Sequence, residues 1–277
     1  MQILQSKKKL DKLKTILSGM QSVVVAFSGG VDSTFLLKVA KMVLGQKVMA
    51  VIAVSSTYQK KEYHDAVNLA KTIGTTLKVI ETDELSDPKF INNPPERCYH
   101  CKKELFGKLK DIAKKDGYKY IVYGGTISDR SDFRPGKNAA VELGARAPLE
   151  EAGMTKEDIR KLSKQLKLPT WNKPAMACLA SRFPYGEKIT QEQLNKIEEA
   201  EDYINSLGFG SVRVRFYGKN ARIEVEKSEI KGMLSDLNRE RIVKKLKELG
   251  FIYVTLDLEG YRTGSMNEVL PLMTKTK

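Results

Sequence analysis

Cysteine is scarce in this chain, and long apolar runs are missing. Three cysteines among 277 residues argue against a disulfide scaffold and leave metal or thiol chemistry open. The longest apolar runs, such as residues 48–54, are too short to span a bilayer, and "MQILQSKKKLDKLKTIL" contains no stretch of the signal-peptide type. We therefore expect a cytoplasmic protein with a buried core, for which the length is ample.

Acidic residues are in the minority. The chain has 48 Lys and Arg against 34 Asp and Glu, a net charge of +14. Such a surface favours anionic partners, namely nucleotides, phosphorylated substrates or RNA. The lysines fall mainly on helix-like stretches, however, and no arginine block is interleaved with aromatic residues. A solvated lysine-rich surface explains the charge equally well, so nucleic acid is not the expected partner.

Apolar runs alternate with helix-like segments through the first half of the chain. The runs "SVVVAF", "KVMAVIAV" and "KYIVYGG" are continuously apolar, which is typical of parallel strands covered on both faces. Between such runs lie predicted helices, among them "STFLLKVAKMVLG", closed by Gly45, and "TKEDIRKLSKQLKL", with Thr155 as N-cap and Asp158 at the third position. The prediction is an α/β fold with a doubly wound parallel sheet that binds ligands beyond the carboxyl ends of its strands.

A change of pattern near residue 186 predicts a domain boundary. The stretch "LPTWNKPAMACLASRFPYGEK" contains three prolines, which make a long helix there unfavourable. Beyond it, "SVRVRFYG" and "ARIEVE" alternate as an antiparallel hairpin does, between two predicted helices. We predict a first domain of residues 1–186 and a smaller α+β domain of residues 187–277.

Two common phosphate-binding motifs, G-x-x-x-x-G-K-[ST] and G-x-G-x-x-G, are absent. Instead, "SGGVDS" follows the first predicted strand and opens a helix, whose N-terminus offers N–H groups and a positive dipole end. Gly29 and Gly30 let an anion approach the backbone, and Ser28 and Ser33 add hydroxyl groups. Asp32 would repel phosphate unless a cation such as Mg²⁺ bridges the two. The alternative is a tight turn in which Asp32 only caps the helix.

A second segment, "YGGTISD", ends the fourth predicted strand at the same sheet edge. We therefore predict that Gly124 and Asp129 contribute to the nucleotide site, with Asp129 as a second Mg²⁺ ligand. The alternative for Asp129 is a carboxylate that serves only the turn.

The "SGGVDS" turn resembles the PP-loop of the N-type ATP pyrophosphatases, a superfamily that includes synthetases for NAD and GMP and the tRNA thiolases. This resemblance implies an adenine nucleotide alpha hydrolase-like fold and cleavage of ATP to AMP and pyrophosphate while an oxygen of the substrate is adenylated. It leaves the substrate open.

Longer segments resemble the LarE family over nearly the whole chain: "DFRPGKNAAVELGARAPL", "NKPAMACLASRFPYGEKIT", "VRVRFYG" and "YVTLDLEGYRTGSMNE". The resemblance implies that ATP adenylates a carboxylate of pyridinium biscarboxylic acid mononucleotide and that a sulfur nucleophile displaces AMP. The product would be the thiocarboxylate precursor of the nickel-pincer nucleotide cofactor of lactate racemase. A homo-oligomer is implied as well, whereas the sulfide donor stays unknown.

The resemblance assigns the sulfur chemistry to cysteine. In sacrificial members of the family, the cysteine matching Cys178 gives up its sulfur and becomes dehydroalanine. Here Cys98 and Cys101 in "RCYHC" add two thiols, as in the subgroup in which three cysteines hold a 4Fe–4S cluster with one open iron. Two other interpretations stay open, a thioredoxin-like C-x-x-C and a Zn²⁺ site that also uses His100.

Four charged residues of the second half are candidates for substrate contacts. Arg213 and Arg215 alternate on "VRVRF", so both lie on one face of a strand, where a phosphate or carboxylate could bridge them. The alternative is two solvated arginines on an exposed sheet face. Arg182 is predicted to steady the adenylate or the substrate, with a surface salt bridge as the alternative. For Glu201 the family pattern suggests a catalytic role, and the alternative is a solvated helix face.

Two functions from other classes also fit parts of the sequence. A tRNA thiolase would use the same ATP chemistry and a C-x-x-C with a third cysteine, but the sequence has no recognisable RNA-binding module. A non-enzymatic sulfur carrier would only bind the cluster, which leaves the complete "SGGVDS" turn unexplained. Binding of bulk tRNA and exchange of pyrophosphate into ATP separate these alternatives.

Overall fold

The computed structural model describes residues 2–129, 134–175 and 177–271. In the first half the elements are α1 Gln2–Met20, β1 Val23–Ala26, α2 Val31–Leu44, β2 Val48–Val54, α3 Lys60–Ile73, β3 Thr76–Glu81, α4 Pro88–Ile91, α5 Arg97–Lys115, β4 Tyr120–Tyr123, α6 Pro135–Glu142, α7 Pro148–Glu151 and α8 Lys156–Gln165. The second half contains α9 Gln191–Ser206, β5 Arg213–Tyr217, β6 Asn220–Glu224, α10 Ile230–Met233, α11 Asp236–Glu248 and β7 Tyr253–Leu256. Within the described ranges, no helix has the length and apolar character needed to cross a membrane.

Four parallel strands form the larger sheet, in the order β3-β2-β1-β4. The first strand lies in the middle, with Val23 opposite Val48 of β2 on one side and opposite Tyr120 of β4 on the other. Each connection between these parallel strands passes through at least one helix, as parallel pairing requires. The predicted α/β fold with a parallel sheet is confirmed.

Both faces of this sheet are covered, which explains why its strands are continuously apolar. Val23 and Val25 pack in one core cluster with side chains of α1, α2, α3 and α8. Val24, between them in sequence, packs in a second cluster with side chains of α5 and α6. Because successive side chains of a strand face opposite sides of the sheet, each strand needs apolar residues at every position.

The structure contains the predicted start of α8 and the predicted end of α2. The Thr155 hydroxyl accepts a hydrogen bond from Asp158 N, and the Asp158 carboxylate accepts one from Thr155 N, so the predicted capping box is present. Gly45 ends α2 with a φ of 60° and donates its N–H to Lys41 O. A positive φ is readily available to glycine, which is why the helix stops there.

The predicted hairpin is also present in the second half of the chain. Strands β5 and β6 pair antiparallel, with Val214 opposite Ile223, and β7 pairs parallel to β6 at the other edge. The rings of Phe183, Phe216 and Phe251 pack in series, with centroid separations of 5.1 and 6.0 Å. These rings give this small sheet its own core.

The chain divides into two compact units, and the division differs from the predicted boundary at residue 186. Among the described residues, the first unit contains 2–83 and 96–175 and the second contains 84–95 and 177–271. Residues 84–95 join the second unit because Asn93 donates its side-chain N–H to Phe183 O and Pro184 O, and its carbonyl accepts from Gly186 N. Contacts between segments far apart in sequence decide the division, and the proline pattern carries no information on them.

Candidate active site

The turn between β1 and α2 is held together by its own serines. The Oγ atoms of Ser28 and Ser33 lie 3.1 Å apart, Gly30 N donates to Ser28 Oγ at 3.4 Å, and Ser33 Oγ donates to Gly30 O at 3.3 Å. Tyr58, which follows β2, donates its hydroxyl to Ser28 O at 2.7 Å. The result is a preformed loop at the N-terminus of a 14-residue helix, where the helix dipole favours an anion.

Glycine is required at two positions of this site for different reasons. Gly29 has a φ of +71°, and a Cβ added to it would lie 2.7 Å from Ala66 Cβ of α3. Gly124 follows β4, and its added Cβ would lie 2.9 Å from Ser33 N and 3.2 Å from Asp32 Cβ. The structure therefore brings Gly124 against the first turn of α2, as predicted for one shared site, although here it acts through close packing.

Asp32 lies in the first turn of α2 with one carboxylate oxygen paired and one unpaired. Its Oδ2 pairs with the ammonium of Lys156, the first residue of α8. Its Oδ1 is buried and accepts no hydrogen bond from any described residue. Burial raises the pKa of Asp32 from its ordinary value, against the opposing effect of Lys156. A buried carboxylate oxygen that lacks a donor is a natural ligand for a cation.

Asp129 is the second carboxylate of this cluster. It accepts hydrogen bonds from Thr126 N and Thr126 Oγ1 at 2.8 and 2.9 Å and forms an ion pair with Arg134 at 2.9 Å. Its charge is close enough to act on the pKa of Asp32. The structure thus brings the two predicted carboxylates together, and it also shows that Asp129 serves its own turn.

Lys156 is a site residue that sequence analysis did not identify. Its backbone N–H donates to Ser128 Oγ at 3.1 Å, and its side chain reaches Asp32. A lysine at the first position of a helix opposes the helix dipole, and this unfavourable placement is a usable signal in the sequence. Lys156 and the cluster around Asp32 together suit a ligand that carries both phosphate groups and a bound cation.

The three thiols fall into the two different units. Cys98 and Cys101 lie in the first two turns of α5, three residues apart and therefore on one helix face, and both are half-buried. Helix α6 packs closely on the backbone of this part of α5, since a Cβ added to Gly136 would lie 3.1 Å from Cys98 O. Cys178 is exposed in the second unit. Over the described residues, no group of three or more His, Cys, Asp or Glu side chains is arranged to hold a metal ion.

Arg182 and Glu201 are buried, so neither the surface salt bridge nor the solvated helix face considered for them is correct. The exposed fraction of the side chain is 0% for Arg182 and 1% for Glu201. Arg182 Nε and Nη2 donate to the two oxygens of Glu201, each at 2.9 Å. Burial raises the pKa of Glu201, but the Arg182 guanidinium outweighs it, and the net shift is downward.

The two arginines of β5 have different surroundings. Arg215 is buried and donates to Glu224 Oε2 at 2.6 Å, so its anion is a carboxylate of the protein. Arg213 is half-buried, with its guanidinium 5.3 Å from the ring centre of Tyr261. Burial and the neighbouring Arg182 lower the pKa of Arg213 from its ordinary value. A ligand anion near Arg213 stays a prediction, whereas Glu224 already neutralises Arg215.

Comparison with known proteins agrees with this geometry. The family model described as NAD synthase matches residues 6–92, which include the β1–α2 turn and Asp32. The pyridinium-3,5-bisthiocarboxylic acid mononucleotide synthase of Lactiplantibacillus plantarum is 42% identical over 263 residues, which cover 95% of each chain. Uncharacterized proteins of Synechocystis sp. and Methanocaldococcus jannaschii are 43% and 33% identical, over 95% and 92% of this chain and 98% of each relative. The chain therefore belongs to the LarE family, the family of pyridinium-3,5-bisthiocarboxylic acid mononucleotide synthase.

Proposed function

We propose that the protein is an ATP-dependent sulfur transferase that converts a carboxylate of pyridinium biscarboxylic acid mononucleotide into a thiocarboxylate, for nickel-pincer nucleotide biosynthesis. The observation that carries this proposal is 42% identity, over 95% of both chains, to a synthase of that name. The β1–α2 turn supports the ATP-dependent part, because it combines a helix N-terminus, serine hydroxyls and the buried Asp32.

The first step activates the substrate. A carboxylate resists nucleophiles because its charge repels them and oxide is a poor leaving group. A carboxylate oxygen attacks the α-phosphorus of ATP, the bond to the β-phosphate oxygen breaks, and pyrophosphate leaves with the electron pair. Asp32 and Asp129 would hold Mg²⁺, which would neutralise the phosphate charge. Lys156, which pairs with Asp32, would compete with that ion for the same carboxylate.

The second step uses a sulfur nucleophile. Sulfur attacks the carbonyl carbon of the acyl-adenylate, and the carbon–oxygen bond to AMP breaks. If the sulfur is that of Cys178, a thioester forms, and loss of the Cα proton with cleavage of the Cβ–S bond leaves a thiocarboxylate and dehydroalanine. The exposed thiol of Cys178 is accessible for either role, as the nucleophile or as a ligand.

The finer part of the proposal is a 4Fe–4S cluster held by Cys98, Cys101 and Cys178. The donor chemistry fits, because three thiolates bind three irons, and two of the thiols share one helix face. When bound, the cluster would supply an open iron at which an extra sulfide is carried. Thiol ligation by Cys98 and Cys101 separates this form of the enzyme from the single-turnover form, in which only Cys178 is used.

Exchange of pyrophosphate into ATP tests the activation step, and thiocarboxylate per chain tests the transfer. We expect wild-type protein purified without oxygen to contain iron and to turn over repeatedly with added sulfide. Cys98→Ala should keep the exchange but lose iron and transfer. Cys178→Ala is the matched control and should lose transfer in both forms. Colourless wild type together with dehydroalanine at position 178 would refute the cluster and leave the activation step standing.

A further inference from the structure

The short turn that carries Cys178 is held from inside the second unit. Cys178 precedes the 3₁₀ turn Leu179–Arg182, and Arg182 is the last residue of that turn. Arg182 Nη1 donates to Ala177 O at 2.7 Å, to Cys178 O at 3.0 Å and to Ser181 Oγ at 3.0 Å. The backbone on both sides of the Cys178 Cα is therefore fixed by one buried side chain, while the thiol itself is exposed.

The other side of the same guanidinium is fixed by Glu201. Both Glu201 oxygens accept from Arg182, and Oε1 also accepts from Val214 N at 2.9 Å. The pair of Arg182 and Glu201 thus joins the Cys178 turn to α9 and, through Glu201, to β5. We call this set the Arg182 clamp: Arg182, Glu201, and the backbone groups of Ala177, Cys178 and Val214.

The clamp is better suited to holding a geometry than to adding stability. Burying two charges costs nearly as much as their attraction returns, so apolar residues of similar volume would stabilise the unit equally well. A guanidinium offers several N–H donors in a fixed plane, which a lysine ammonium cannot reproduce. Burial lowers the pKa of Arg182, and the Glu201 carboxylate and then the Cys178 thiolate raise it, with a net rise.

We propose that Arg182 and Glu201 are positioning residues that fix the orientation of Cys178 for the sulfur-transfer step, rather than residues that contact the nucleotide or the substrate. This inference rests on the proposed function, because it takes Cys178 as the residue that acts in transfer. It differs from the direct role that the sequence suggested for both residues, because their side chains are only 0% and 1% exposed. Its consequence is that loss of the clamp impairs transfer and spares adenylation.

Arg182→Lys is the main test, with three measurements on the full-length protein. Transfer should fall by about 100-fold, the order of loss that a misplacement of about 1 Å causes. Exchange of pyrophosphate into ATP should stay within about twofold of wild type. A loss of folded protein would lower exchange and transfer together, so this measurement separates misfolding from misplacement of Cys178. Amide hydrogen exchange in the peptide 177–183 should accelerate, since the Ser181 and Phe183 amides bond to carbonyls of this turn.

Two further variants keep the test decisive. Glu201→Gln retains an acceptor for Val214 N and for Arg182 Nε, so it should lose transfer less than Arg182→Lys does. Leu246→Ala is the control for destabilisation, because Leu246 is fully buried in α11 and is not part of the clamp. It should lower the melting temperature while leaving amide exchange in 177–183 and transfer unchanged.

Either of two results would overturn the proposal. One is wild-type transfer by folded Arg182→Lys, and the other is amide exchange in 177–183 that does not change in that variant. A wild-type protein without pyrophosphate exchange would instead refute the proposed function, and the amide exchange of the turn would still report on the clamp.

Discussion

Replacing Gly29 by alanine should destabilise the protein and distort the phosphate-binding turn. A non-glycine residue in the left-handed region costs about 1–2 kcal/mol. The new Cβ would also lie 2.7 Å from Ala66 Cβ, whereas carbon atoms pack at about 3.5–4.0 Å. Relief of such a contact costs about 1–3 kcal/mol, so we expect a total loss of about 2–5 kcal/mol. Thermal unfolding measures the stability, and calorimetric titration with ATP measures the binding.

Gly74→Ala is the matched control. Gly74 ends α3 in the left-handed region with a φ of +75°, but no atom lies within 4 Å of its added Cβ, so only the conformational cost applies. It should lose about 1–2 kcal/mol and bind ATP as wild type does. The Gly29→Ala, Ala66→Gly double variant lacks the 2.7 Å contact between the two Cβ atoms, so it should lose less stability than the sum of the losses in the two single variants. Equal stability of Gly29→Ala and Gly74→Ala would refute this reasoning.

The remaining predictions concern charged side chains. Asp32→Ala should lower adenylation by about two to three orders of magnitude, measured as pyrophosphate exchange, because the carboxylate that holds Mg²⁺ is lost. Since burial raises the pKa of Asp32, its charged form opposes folding, and Asp32→Asn should gain stability at pH 7, with the gain fading as the pH falls. Asp158→Asn should lose about 1–3 kcal/mol at pH 7 and less in acid, because hydrogen bonds outweigh burial and lower the pKa of Asp158. Arg213→Ala should raise KM for the mononucleotide without weakening ATP binding. Arg215→Ala should also lose about 1–3 kcal/mol of stability, because buried Glu224 loses one of its partners and keeps Arg222.

Each of these predictions has an outcome that contradicts it. If Asp32→Ala exchanges pyrophosphate into ATP at the wild-type rate, Asp32 does not act at the nucleotide site. A stability difference between Asp158→Asn and wild type that grows in acid would reverse the assigned direction of the pKa shift. Unchanged kinetics in Arg213→Ala would return Arg213 to a purely structural role, and an Arg215→Ala variant as stable as wild type would show that the buried pair with Glu224 is absent.

Local patterns were sufficient for much of the fold. The apolar runs of β1, β2 and β4 predicted parallel strands because a sheet covered on both faces needs apolar residues at every position. The capping box of Thr155 and the glycine that ends α2 were predictable because both depend on residues within one turn. The division into units was not, since Asn93 reaches carbonyls about ninety residues further along the chain.

The sequence alone determined the β1–α2 turn, because Ser28, Gly29, Gly30, Asp32 and Ser33 act within one short segment whose geometry follows from a strand, two glycines and a helix N-terminus. Only the tertiary structure decided which charges are partners. Lys156 meets Asp32 from a helix more than a hundred residues away, and Arg182 is buried in a pair with Glu201. Charge pairing depends on distances of a few ångströms between side chains of separate elements, and the periodicity of a single element carries no information about those distances.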